Sequence, residues 1–76
     1  MSLKDKVIKV IAEKLDVDIE DVVPKASFVD DLGADSLDLV ELIMTMEETF
    51  AIDIDDKDAE MLKKVEDVIN YLEKHS

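Results

Sequence analysis

The chain has 76 residues, no cysteine, a single glycine and proline, 47% apolar residues and a formal charge of −12. Those figures describe one small domain, near the lower limit for a self-supporting core, with neither a disulfide nor a thiolate metal site to reinforce it. No apolar run approaches membrane-spanning length, and such acidity repels nucleic acid and anionic membranes while favouring basic protein partners.

The first predicted element is an amphipathic helix over 3–15. Leu3, Val7, Val10, Ile11 and Leu15 share one face, the lysines at 4, 6, 9 and 14 point largely elsewhere, and Ser2 is placed to cap the start. Residues 16–35 form a long connection. Pro24 holds Val23 extended and blocks a helix across that point. Ile19, Val22, Phe28, Val29 and Leu32 are scattered through it, so the loop is expected to lie along the bundle with these residues tucked in and a short turn near 19–22. Gly33 then gives the backbone freedom for a turn.

Residues 36–50 carry the strongest helical signal, with Asp35 as N-cap and Asp38 adding charge in the first turn, where the helix dipole favours it. Leu39, Leu42, Ile43, Met46 and Phe50 make a core face. A second stripe, Leu37, Val40 and Met44, runs among Glu41, Glu47 and Glu48. Either this helix is buried on two sides or the stripe is an exposed docking surface rimmed by carboxylates. A short helix near 56–61, capped by Asp55, and a last helix over 65–75 with Val65, Val68, Ile69 and Leu72 inward complete the reading. Tyr71 is expected at that helix's edge with its hydroxyl in water. The fold class is therefore all-α: a small four-helix bundle, three longer helices plus one short, with a long first loop.

Catalytic partners are scarce. The one histidine, His75, is read as a solvent-exposed helix-end residue, and there is no triad candidate and no glycine-rich phosphate loop. Asp16-Val17-Asp18 and Asp53-Ile54-Asp55 begin like calcium loops but lack the glycine and glutamate that such loops need, so no metal site is expected. The acidic excess is concentrated: residues 16–60 hold sixteen acids against two lysines, whereas residues 1–15 hold four lysines against two acids. Repulsion of this kind argues for a monomer. Ser36, just after Gly33-Ala34-Asp35, is either ordinary helix punctuation or an attachment point for a phosphate-linked group at a helix start.

Phe28-Val29-Asp30-Asp31-Leu32-Gly33-Ala34-Asp35-Ser36-Leu37-Asp38-Leu39-Val40-Glu41-Leu42 closely resembles the acyl carrier proteins of dissociated fatty acid synthesis, and the likeness runs from Val7 to Tyr71. The resemblance implies a single acyl carrier domain over 1–76 and no catalytic residue. Ser36 would take a covalent 4′-phosphopantetheine arm from coenzyme A through a Mg²⁺-dependent phosphopantetheinyl transferase, with Asp35, Leu37 and Asp38 around the attachment point. Leu37, Val40, Glu41, Met44, Glu47 and Glu48 would form the helix that docks on basic patches of fatty acid synthase enzymes and acyltransferases. Phe28, Leu42, Met46, Phe50, Ile54, Ala59, Leu62, Val68 and Leu72 would shelter the acyl chain. A cytoplasmic location is implied, or an organelle lumen after removal of a transit peptide; none is visible at Met1-Ser2-Leu3-Lys4. Stand-alone polyketide and D-alanyl carriers share the serine, and a cofactor-free acidic interaction bundle is the reading from a different class. The chain departs from the pattern at Asp55, where the family usually has proline, and at Lys64, where a threonine-like cap is common; 55–65 is expected to be mobile.

Overall fold

In the computed structural model, which describes residues 2–75, the Ser2 side chain accepts the Asp5 N–H at 3.1 Å and starts helix α1, Leu3–Leu15. Val7 and Ile11 are fully buried, and Leu3, Val10 and Leu15 are half-buried beside them. Asp16 ends α1 in the left-handed conformation, its N–H returned to Ala12 O. A single 3-10 turn, Ile19–Asp21, follows in the long loop. Helix α2 is Ser36–Phe50, α3 is the short Asp56–Met61, and α4 is Val65–Lys74. There is no β-strand among the described residues; Ser27 and Lys64 make one isolated antiparallel bridge.

The core gathers Val7 and Ile11 of α1, Leu42 and Met46 of α2, and Val65, Val68, Ile69 and Leu72 of α4. The long loop adds Val22, Phe28 and Leu32, buried as expected, together with Ala26 and Ala34, and the segments flanking α3 add Ile54 and Leu62. Ile19 and Val29 are not tucked in; both stand exposed. An aperiodic loop has no helical phase, so the side each residue shows depends on turns that tertiary contacts decide.

The loop is pinned to the junction between α3 and α4. Phe28 N–H donates to Lys63 O at 3.1 Å, Val65 N–H to Ala26 O at 3.1 Å, and Glu66 N–H to Pro24 O at 2.9 Å. Asp67 Oδ2 accepts the N–H groups of Lys63 and Lys64 at 3.1 and 3.0 Å. These bonds fasten the start of α4 from the opposite direction to the missing threonine cap, so the weak boundary expected at Lys64 is reinforced. Asp55 occupies the N-cap position of α3 but makes no side-chain cap bond.

Tyr71 corrects the sequence reading. Its hydroxyl donates to Asp58 Oδ2 at 2.9 Å in a part-buried setting, tying α4 to α3. That hydrogen bond comes first in raising the phenol above its ordinary value of 10.0, followed by burial and the negative charges of Asp58 and Asp55.

Candidate functional site

Residues 27–35 are folded tightly before they deliver Ser36. Ser27 N–H donates to Asp31 Oδ2 at 2.7 Å, Asp30 N–H to Ser27 Oγ at 3.2 Å, and Asp31 and Leu32 N–H both to Ser27 O at 3.0 Å. Ala34 N–H closes the turn on Phe28 O at 2.8 Å. Gly33 sits between them at φ +69°, in the left-handed region that penalises side chains. Phe28, Leu32 and Ala34 anchor this loop in the core, so the chain is rigidly led to the start of α2.

That start is a reciprocal capping box. Asp35 Oδ1 accepts the Asp38 N–H at 2.9 Å, and Asp38 Oδ2 accepts the Asp35 N–H at 3.1 Å. Ser36 is the first residue of the helix and is exposed, with Leu37 exposed after it. The hydroxyl is thus presented to solvent between two carboxylates fixed in place by backbone bonds. His75 is exposed at the far end of α4, as expected, with its ring 4.1 Å from that of Tyr71. No group of three or more His, Cys, Asp or Glu among the described residues could hold a metal ion.

The two readings of α2 separate here. Leu37, Val40 and Met44 are 65, 55 and 54% exposed, so the second stripe faces solvent, flanked by exposed Glu41 and Glu48. Glu47 differs from its neighbours, because its carboxylate is engaged by the Ile54 N–H at 3.0 Å.

A cleft of 590 Å³ opens beside Ser36 and runs between α2 and α3, lined by Leu39, Val40, Ile43, Met44 and Glu47 on one side and Ile54, Asp56, Ala59 and Glu60 on the other. Its volume falls within the range of small-molecule sites. A second, 310 Å³ cleft lies on the loop side of the same wall, with Phe28, Val29, Leu39, Ala59 and Leu62 among its lining residues. Four of the nine residues expected to shelter a chain therefore face a cleft: Phe28, Ile54, Ala59 and Leu62. Leu42, Met46, Val68 and Leu72 are instead packed in the core, and Phe50 is half-buried against it; none of these five lines either cleft.

Spacing assigns Leu39 and Ile43 to the core alone, and nothing in the sequence marks Asp56 and Glu60 as cleft residues. A signal for the first two does exist: 36, 39, 40, 43, 44 and 47 follow helical spacing from the serine itself.

The phosphopantetheine attachment site family matches residues 5–72. The acyl carrier protein of Desulforapulum autotrophicum is 68% identical over 77 residues, covering 100% of both chains. That of Nitratidesulfovibrio vulgaris is 58% identical over 72 residues and 95% of each chain. That of Bdellovibrio bacteriovorus is 58% identical over 74 residues, 97% of this chain and 95% of its own.

Proposed function

Because the chain belongs to the acyl carrier proteins of the phosphopantetheine attachment site family, we propose that Ser36 Oγ is the atom that carries its 4′-phosphopantetheine arm and that the cleft beside it shelters the acyl cargo of fatty acid synthesis. The observation that carries this reading is the junction of an exposed, capped serine with the 590 Å³ cleft that begins at it. When bound, the arm supplies a terminal thiol that holds acyl chains as thioesters.

The chain's own residues have distinct tasks. The capping box holds Ser36 at the head of α2. Asp35 and Asp38 together repel an incoming phosphate, and a divalent cation brought by the transferase offsets that repulsion. Leu39 and Ile43 of α2, with Ile54 and Ala59 opposite, give the cleft apolar walls. Leu42, Met46, Phe50, Val68 and Leu72 lie behind those walls and meet a longer chain only where the bundle yields; methionine at 46 suits that adaptation.

Leu37, Val40 and Met44, with Glu41 and Glu48, form the docking strip for basic patches on the transferase, the synthase enzymes and acyltransferases. Val40 and Met44 also line the cleft, so the strip and the cargo share an edge. Carboxylate-rimmed contacts give fast, readily released encounters, which suits a carrier that visits several enzymes.

Intact mass after incubation with a phosphopantetheinyl transferase, Mg²⁺ and coenzyme A tests the assignment. One phosphopantetheine adduct is expected on the wild-type chain and none on Ser36→Ala. No adduct on the wild type under conditions that load a control carrier, or an adduct that survives Ser36→Ala, overturns it.

A further inference from the structure

Glu47 lies in the last turn of α2, next to the docking strip, yet it serves the loop beyond that helix. Its main-chain carbonyl accepts the N–H of Ala51 and, at 3.1 Å, that of Ile52, while its carboxylate accepts the Ile54 N–H at 3.0 Å. One residue thus takes three amides of the turn by which the chain leaves α2. Ala51 makes that turn in the left-handed conformation at φ 53°, a strained position for a residue with a side chain.

The segment after this turn is weakly held. Residues 52–55 have no regular structure, α3 has no side-chain cap bond, and none of its six residues is buried. Ile54 is the exception: it is buried, and with Glu47 it lines the cleft that begins at Ser36. A bond from a carboxylate to a part-buried amide is charge-assisted and stronger than a neutral one. It is the side-chain bond nearest to Ile54 that fastens this wall to α2.

We infer that Glu47 is a positioning residue for the cargo cleft: its carboxylate, through the Ile54 amide, fixes the wall that Ile54 and the start of α3 present to the chain's cargo. The cargo half of this statement rests on the carrier reading above; the latch itself does not. The assignment separates Glu47 from Glu41 and Glu48, whose exposed carboxylates have no such engagement with the loop.

Amide hydrogen exchange of the apo protein, read residue by residue by NMR, tests the latch. Glu47→Ala is expected to speed exchange at Ile54 by about tenfold or more, with the Val68 and Leu72 amides of α4 within about twofold of wild type. Glu47→Gln keeps an oxygen acceptor and is expected to restore near-wild-type protection at Ile54. Glu13→Ala, which removes an equal charge from exposed α1, is expected to change neither.

In the octanoyl-loaded protein, hydroxylamine is expected to cleave the thioester several-fold faster in Glu47→Ala and at the wild-type rate in Glu47→Gln. Unchanged Ile54 exchange in Glu47→Ala, equal acceleration in Glu47→Gln, or an exposed Ile54 amide with unchanged thioester cleavage each overturns the assignment. A wild-type protein that accepts no octanoyl arm overturns the carrier reading instead, and the exchange data then decide the latch alone.

Discussion

Asp35→Ala removes the acceptor of the Asp38 N–H, now held at 2.9 Å, and leaves that amide at the exposed start of α2. Loss of an N-cap acceptor costs about 1 kcal/mol. For a domain of this size that amounts to a fall of about 4–8 °C in melting temperature. Two electrostatic effects accompany it. Removing a negative charge from a helix start forfeits about 0.3–1 kcal/mol of dipole interaction. It also relieves repulsion in a chain with a formal charge of −12, which acts in the opposite direction. Asp35→Asn isolates the cap, because its side-chain oxygen still accepts while the charge is gone.

Thermal melts followed by circular dichroism are expected to place Asp35→Asn within about 2 °C of wild type, since asparagine is an equally good N-cap and the charge effects oppose one another. Asp35→Ala should melt well below it. Loading by the transferase should divide the pair differently. If the carboxylate meets the transferase's divalent cation, both variants load slowly although only Ala is destabilised. An Asn variant that melts as low as the Ala variant would refute the view that the box holds α2 through its acceptor.

Tyr71→Phe removes the hydroxyl that joins α4 to Asp58 of α3, and calorimetry should show a melting temperature lowered by a few degrees at neutral pH. The Asp58 hydrogen bond raises the folded phenol above 10.0, so its stabilisation is complete below that pH and is lost as pH rises through the higher folded value. The wild type should therefore lose stability more steeply than Tyr71→Phe on the alkaline side of pH 10; parallel decline would count against the bond. Glu41→Lys, on the exposed strip, should lower kcat/KM for loading several-fold at low ionic strength, with the two proteins converging as salt screens the charge. Equal kinetics at low salt would show that the transferase docks elsewhere.

The helices were legible because their signals are local. Ser2 and Asp35 cap the helices they precede, and the inward faces of α1, α2 and α4 follow from spacing alone. The loop was legible only in part: Val22, Phe28 and Leu32 turn inward but Ile19 and Val29 do not, and no periodicity distinguishes them. Tyr71 and Asp58 are thirteen positions apart on different helices, so their bond depends on how α3 is laid across α4. The bond from Glu47 to Ile54 was hidden for another reason. On sequence Glu47 is one of three similar acids along α2, and only the left-handed turn at Ala51 brings the loop back under its carboxylate. Ser36 stands out on sequence through its neighbours, whereas the cleft beside it is lined in part by Leu39, Ile43, Asp56 and Glu60, which spacing does not mark as cleft residues. Residues that make a core and residues that line a groove share the same apolar stripe, and spacing cannot tell which of them a short, loosely seated helix will cover.

That short helix connects the stability of the bundle with its use. The core is built mainly from α1, α2, α4 and the long loop, with Ile54 and Leu62 added on either side of α3, and α3 itself buries none of its residues. The wall of the cleft carries α3, which has no buried residue of its own, and it is positioned by side-chain bonds at its two flanks: between Ile54 and Glu47 on the α2 side and between Tyr71 and Asp58 on the α4 side. Both bonds are only part-buried, the kind of contact that local opening breaks more readily than a packed core. A carrier must enclose its cargo between visits and surrender it at each one. On the reading proposed above, placing Ser36 on the doubly capped head of α2 and the opposite wall on two part-buried ties would meet both requirements without loosening the core.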